Sequence, residues 1–597
     1  MLEPRTRWRF PEPVEVDPGM LARAAELGLG PRLAEILVRR GIDTPAALSA
    51  FVGPAQASLN DPGLLPDAAR FRDRIVAARD RGERVLVFGD FDADGVSGLA
   101  VLTLALRRLG IDVVPYVPSR LEEGHGLSLA GIEAAVAARA SVIVTVDTGT
   151  SSADEVGLAN GRGVDVLITD HHRVPARLPT AVALVNPHRP DAEYPDRGLT
   201  GAGVAFTLAR LLLGADALDL ADLAAIGTVA DVAPILGENR AIARLGLERI
   251  RTAPRPGIAG LLAAAAIAPA ACDLETLAFA VAPRLNAAGR VGEASDAARL
   301  LLTDDADEAA ALAEALQAAN GLRRDLTRSA IAEARISPDA VDEARATIVH
   351  GAWAVGIVGL VASRLAEERG RPAIVGADLG PVIRASARSD GRLHLADALA
   401  ACGDLLVRHG GHAGAAGFEI EADRWLDFRD RFLTLAGSIP PADPVPTLAL
   451  DLAVPALDVG YDLLRELGRL APAGVGNPEP LVAILGLTVV RAREASGGHS
   501  QLVLRRDRDV LDGIAFGWPE LAGLVYEGDR IDVVARLASR RFGGIESLQL
   551  ELRDAAPAGS QRPAARPPVA VAVAPGPGPA PLPAPVTEPI GLPASGS

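Results

Sequence analysis

Three apolar runs early in the chain each end in acidic residues: RVLVF leads into GDFDADG at 89–95, SVIVTV into DTG at 147–149, and VDVLIT into DHH at 170–172. Short, almost uninterrupted apolar runs are what a strand covered on both faces requires. The segments between them, such as LAVLTLALRRLG and LAGIEAAVAARA, carry a helical pattern instead. This alternation predicts a doubly wound α/β unit with a parallel sheet. In such a sheet, functional groups gather at the carboxyl ends of the strands. Asp90, Asp92, Asp94, Asp147, Asp170, His171 and His172 are therefore directed into one crevice. The spacing of GDFDADG also matches the opening of an EF-hand calcium loop. That loop needs a bidentate Glu at its twelfth position. Counted from Asp90, the position is Val101, and the run before it reads as a strand where an EF-hand has a helix. A calcium sensor is excluded.

At 597 residues the chain exceeds what one core organises, so three or four domains are expected. Residues 1–80 read as amphipathic helices, and 81–335 as the α/β unit with a helical extension from about 240. Residues 336–440 read as a smaller α/β unit holding the glycine-rich HGGHAGAAGF at 409–418, and 441–555 as short strands with turn signals forming a small β-barrel. Residues 556–597 read as a Pro/Ala-rich disordered tail. Two cysteines, Cys272 and Cys402, make no disulfide framework or cysteine zinc site and fit a reducing compartment. The N-terminus has no signal-peptide h-region and no run is long enough to span a bilayer, so the expectation is a cytoplasmic protein without a membrane partner. The net charge of −16 argues against a general polyanion binder but leaves room for a local arginine-lined groove, arginine being the sole source of the basic residues.

Carboxylates mixed with imidazoles suit Mn²⁺, Mg²⁺ or Zn²⁺. Asp231, in LAAIGTVADVAPI, adds a fourth acidic segment to the three strand ends. There are more carboxylates than one ion uses, which favours a two-metal site. No nucleophile motif of the GxSxG type is present.

GDFDADG, VDTG, TDHH and TVADV resemble the four motifs of the DHH phosphoesterase superfamily, and HGGHAGAAGF resembles the signature of its DHHA1 companion domain. TRWRF, RLEEGHGLS (120–128), APRLNAAGRVGEA (282–294), GIVGLVASRL (356–365), SARS (386–389), APAGVGNPEP (471–480) and IAFG (514–517) extend the resemblance to the RecJ-like single-stranded-DNA exonucleases, with an OB-fold as third domain. The resemblance implies two divalent ions, Mn²⁺ or Mg²⁺. One would be held by Asp92 and Asp147, the other by Asp94, Asp147, His171 and Asp231, with Asp90 and His172 in support. It implies substrate contacts from Arg120, Arg290, Ser386, Arg388, Gly410, Gly411 and His412, since arginine forks and glycine backbone N–H groups both suit phosphate. In the OB-like segment Arg540, Arg541 and Phe542 are candidates for the nucleic acid. The implied activity is 5′-to-3′ hydrolysis of single-stranded DNA to mononucleotides in repair and recombination, with a helicase and a single-strand-binding protein as expected partners. The alternatives are an inactive DNA-binding scaffold of the same lineage, and an oligoribonucleotide or cyclic-dinucleotide phosphodiesterase. Phe91 and His125 stand where these proteins commonly have tyrosine, and the tail lies outside the shared pattern.

Overall fold

The computed structural model describes residues 2–337, 345–437, 445–542 and 545–561; residues 562–597 of the expected tail lie outside them. The α/β expectation is met. A five-stranded sheet runs in the order Val113–Tyr116, Arg84–Gly89, Ala140–Val146, Asp165–Thr169, Ala183–Val185, and every pairing in it is parallel. Within Arg84–Gly89 the pleat sends Val85 and Val87 into one core and Leu86 and Phe88 into the other. The first core is built against the helices Ala93–Arg108 and Gly201–Leu213, and the second against Leu129–Ala137 and Ala153–Gly161. Covering on both faces is the physical reason these strands read as unbroken apolar runs.

A helical stretch follows the sheet and ends in the 31-residue helix Ala306–Ile336. That helix leads into a second sheet, ordered Arg408–Gly411, Ala415–Glu421, Val382–Arg388, Ala373–Asp378, Thr347–Gly351. Only its last pair is parallel, joined by the helix Val355–Arg369. The glycine-rich motif is thus a hairpin on a sheet edge. Beyond it Val482–Ala495, His499–Arg506, Asp509–Ala515, Ile545–Pro557 and Arg530–Phe542 pair in that order, and the last returns to the first to close a five-stranded barrel.

The helices of the first 80 residues divide between two cores. Ala68–Asp80 packs under the parallel sheet, through Phe71 and Ile75. The three before it, Pro18–Glu26, Pro31–Arg39 and Pro45–Val52, share one core with the barrel, joining Met20, Ile36, Leu37 and Phe51 to Val482, Ile484 and Leu550. The strand Arg7–Arg9 pairs in parallel with Thr447–Ala449. Buried Asp554 fastens the junction, accepting from the Arg5 and Thr6 amides at 3.0 and 2.9 Å and from Trp8 Nε1 at 2.8 Å. Asp554→Ala leaves these donors without an acceptor, at roughly 1–3 kcal/mol for a buried group. Urea unfolding should show a loss of about 3 kcal/mol, with the barrel and the N-terminal helices released together.

Candidate active site

The loop after Arg84–Gly89 starts the helix Ala93–Arg108, and Asp92 caps it by accepting from the Asp94 and Gly95 amides at 3.0 Å. Asp94, one residue into the helix, is clamped from 107 residues away. Its two carboxylate oxygens accept from the amides of Gly201 (2.7 Å) and Ala202 (3.0 Å), at the start of the helix Gly201–Leu213. A helix N-terminus favours a carboxylate, and Thr200 caps this one ahead of an apolar run. Sequence reasoning missed the clamp, although Thr200 and the glycines that follow were its visible signal.

Asp147 follows its strand in the left-handed region, at φ 61°, a conformation Asp tolerates better than most residues. It is buried, and its Oδ1 has no aligned donor although His171 Nε2 lies 3.0 Å away. His171 Nε2 also stands 3.8 Å from Asp94 Oδ2 and 3.9 Å from Asp231 Oδ2. Asp231 reaches the site from the end of a helix, as the cap of Ala221–Ala230. Asp170 accepts from the amides of His171, His172 and Thr150 and from His172 Nδ1. It holds the His172 ring and the backbone of His171 in place.

Ligand atoms therefore converge in three overlapping groups, each within 4.8 Å: Asp90, Asp92 and Asp147; Asp94, His171 and Asp231; and Asp147, His171 and His172. Asp147 and His171 link them. The structure thus brings seven of the eight acids and imidazoles that the sequence nominated into these groups, with Asp170 behind them holding His172, and Asp90 turns its Oδ2 to His125 Nδ1 at 3.1 Å.

The electrostatics fit a site built for cations. Burial, then the Asp231 and Asp92 charges, push Asp94 up to about 8. Burial and the Asp92 charge put Asp231 at about 6. Burial raises Asp92 above the usual carboxylate range, with Asp90 adding to it. Burial and four neighbouring aspartates hold Asp147 well above that range. Burial and the charge on His172 bring His171 down to about 4, leaving it a neutral donor of a lone pair. The hydrogen bond to Asp170 lifts His172 to about 9. Crowded, desolvated carboxylates of this kind are stable as anions only beside positive charge. The buried, unpartnered Asp147 Oδ1 and the mixed oxygen and imidazole donors suit divalent ions.

Positive charge also lines the approach. Burial depresses Arg290 to about 9, helped by Arg120, Arg323 and Arg388. Arg120 and Arg388 are lowered by burial as well. Such guanidiniums, desolvated and mutually repelling, want an anion. Arg120 lies over the Phe91 ring at 4.3 Å and the His125 ring packs against it at 4.5 Å, contacts that use no hydroxyl. Arg290 Nη1 donates to Gly356 O (2.9 Å), joining the two α/β units. Arg388 Nη1 donates to Ser386 Oγ (2.8 Å), and their strand pairs with Ala415–Glu421. Ser389 N donates to Gly414 O, so the glycine hairpin lies beside these residues. Gly410, Gly411 and His412 are exposed there. Arg323, on Ala306–Ile336, joins the cluster unforeseen: an arginine in an Ala-rich helix looks like any solvated one. In the barrel Arg540 is exposed, and the side chains of Arg541 and Phe542 lie outside the described residues.

Three family models match: the DHH family, N-terminal domain at 84–228, the DHHA1 domain at 330–437, and the RecJ OB domain at 450–554. The single-stranded-DNA-specific exonuclease RecJ of Bacillus subtilis is 34% identical over 563 residues, 93% of this chain and 71% of the relative. The chain belongs to the RecJ family. The RecJ of Escherichia coli K12 is 36% identical over 510 residues, 79% of this chain and 86% of the relative. Among solved structures, RecJ of Thermus thermophilus in complex with Mn²⁺ superimposes with a TM-score of 0.77 at 32% identity, covering 94% of this chain and 80% of that one. The Mg²⁺ complex of the same RecJ gives 0.72 at 31% identity.

Proposed function

We propose that this chain is a divalent-metal-dependent exonuclease that hydrolyses single-stranded DNA from its 5′ end to mononucleotides. The observation that carries it is the double cluster around Asp147, in a chain aligned with single-stranded-DNA exonucleases over nearly its whole length. Asp92 with Asp147, and Asp94, His171 and Asp231 with Asp147, are the residues that would hold two ions, Mn²⁺ or Mg²⁺. Bound there, divalent cations supply Lewis-acid polarisation of the phosphate and an acidified water.

The remaining work falls to the protein. Asp170 holds the His172 ring and the backbone of His171, the amides of Gly201 and Ala202 fix Asp94, and Arg120 and Arg290 grip phosphate as the strand advances. Ser386 and Arg388 are assigned to the terminal phosphate, and Gly410, Gly411 and His412, whose hairpin lies beside Ser389, add backbone and imidazole donors to the phosphate grip. The barrel carries the rest of the strand, a helicase supplies it and a single-strand-binding protein presents it, in the cytoplasm and in the service of repair and recombination. Among the described residues no helix is long and apolar enough to cross a membrane.

The test is degradation of DNA labelled at either end, with Mn²⁺, Mg²⁺ or EDTA, against matched duplex and RNA. Mononucleotides released from the 5′ end of single strands, and none in EDTA, are the expected result. Binding without cleavage under every metal would indicate an inactive scaffold, and preferential turnover of RNA or dinucleotides a small phosphodiesterase.

A pH dependence follows from the raised carboxyl groups. The ordinary Asp value is about 3.9, whereas the folded values are about 6 for Asp231 and about 8 for Asp94. Without metal, the native cluster keeps protons that the unfolded chain has released. Its contribution to stability is therefore complete below about pH 4 and is lost as pH rises through about 6 and about 8. A cation takes the place of those protons, so binding releases them and tightens with pH. The gap between metal-saturated and metal-free melting temperatures should widen from about pH 5 to 8, and calorimetry in buffers of different ionisation enthalpy should register proton release on Mn²⁺ binding.

A further inference from the structure

A cavity of about 1420 Å³ lies between the α/β region and the barrel, its lining including Asn286, Arg290 and Arg323 together with Arg536 and Arg553. One wall is a continuous helix in which Leu277–Val281 has a π-helical turn and Ala282–Val291 follows as α-helix. Phe279, Ala282, Pro283, Asn286 and Arg290 all face the cavity, the spacing of a single helical stripe. Its inner end is tied to the site: Asn286 Oδ1 accepts from the Ala93 amide at 2.8 Å, and Arg290 feels the Asp92 charge. At its outer end Phe279 is 78% exposed. Four aromatic side chains are exposed among the described residues, Phe279, Tyr461, Phe516 and Tyr526, and of these Phe279 alone lines the cavity. The π turn adds a residue to the helical register and re-aims the side chains that follow Leu277, a device found often at functional sites. Val232, next to Asp231, is 65% exposed to the same cavity and sits at φ 59°, where a β-branched residue is strained.

We propose that Phe279 is a stacking platform for one base of the single strand, a few nucleotides 3′ of the scissile bond. Eleven residues at about 1.5 Å rise set it about 16 Å from Arg290 along the helix. The strand's terminal phosphate therefore meets the arginines while a later base meets the ring. A duplex base already stacked on both faces offers no free face to it, so the ring adds to strand selectivity. The inference rests on the single-stranded-DNA reading above.

The test compares wild type with Phe279→Ala, Phe279→Leu and Phe279→Tyr. On a long single strand Phe279→Ala should raise KM about tenfold, the value of one lost base stack, with the loss falling on KM and sparing kcat. Phe279→Leu should behave as Phe279→Ala, whereas Phe279→Tyr restores the wild-type KM. A dinucleotide, too short to reach the ring, should show no difference among the four. With 2-aminopurine placed at successive positions from the 5′ end, one internal position should be quenched on binding in Ca²⁺, and Phe279→Ala should abolish that quench. A Phe279→Leu that matches wild type, a KM that rises equally on the dinucleotide, or a quench that survives Phe279→Ala would overturn the proposal. Failure of the wild-type protein to degrade single strands would instead overturn the functional reading, and the quench would still report on the ring.

Discussion

Asp147→Asn is expected to lower single-strand degradation by about 10³-fold or more while leaving the fold intact. The size follows from the several kcal/mol that metal-borne charge stabilisation contributes, at about 1.36 kcal/mol per decade of rate. Asparagine is the informative replacement. It keeps the side-chain shape, and it accepts the φ of 61° that Asp147 adopts, so a loss of activity cannot be blamed on backbone strain. It also removes a charge from a site where Asp90, Asp92, Asp94 and Asp170 all work against the Asp147 anion. In EDTA the variant should therefore melt above wild type. Added Mn²⁺ should raise the wild-type midpoint and shift the variant little, reversing the order. Activity assays and melting curves with and without metal read both halves. Retained activity would remove Asp147 from the bridging role.

The second large effect is expected at Gly95, the last residue of GDFDADG. A Cβ there would lie 2.6–2.7 Å from the O, C and Cα atoms of Asp90, closer than real Cβ contacts come, and backbone atoms have no rotamer to escape into. The loop must open, which shifts Asp90 and the cap that holds Asp92 at one stroke. Overpacking costs roughly 1–3 kcal/mol, and contact with backbone places Gly95→Ala near the upper end. A loss of about 3 kcal/mol in stability is expected, together with loss of most metal-dependent activity. Gly157→Ala is the control: that glycine lies in the helix Ala153–Gly161 with nothing within 4 Å of the added atom. Relief of glycine's helix penalty should stabilise the protein there by about 0.5–1 kcal/mol. If both substitutions behave alike in thermal unfolding, the steric argument at Gly95 fails.

The contrast between these positions shows what could be read before any coordinates. The strand-end acids were legible because strands covered on both faces are uniformly apolar, so an aspartate at such a boundary stands out and the topology says where it points. Asp231 was not legible that way. It arrives from a helix end, and only its likeness to a known motif marked it. The Asp94 clamp depends on amides 107 residues away, and Arg323 on the path of a 31-residue helix, relations that no local period encodes. The three-residue strands Arg7–Arg9 and Thr447–Ala449 are too short to show alternation, so the union of N-terminus and barrel left no pattern to find. Phe279 was hidden for a different reason: one aromatic in an alanine-rich run reads as core until its surroundings are known.

That union sets the order in which the protein can be made. Leu33, Ile36, Leu37 and Phe51 leave the ribosome well ahead of Leu550 and Ala555, which belong to the same core. At about 5–20 residues per second, their partners emerge roughly 25–100 s later. Through that interval the nascent chain carries an uncovered apolar face while the parallel-sheet domain folds behind it. Chaperone demand should therefore concentrate on the N-terminal helices, and release of the last barrel strand becomes the step that closes their shared core.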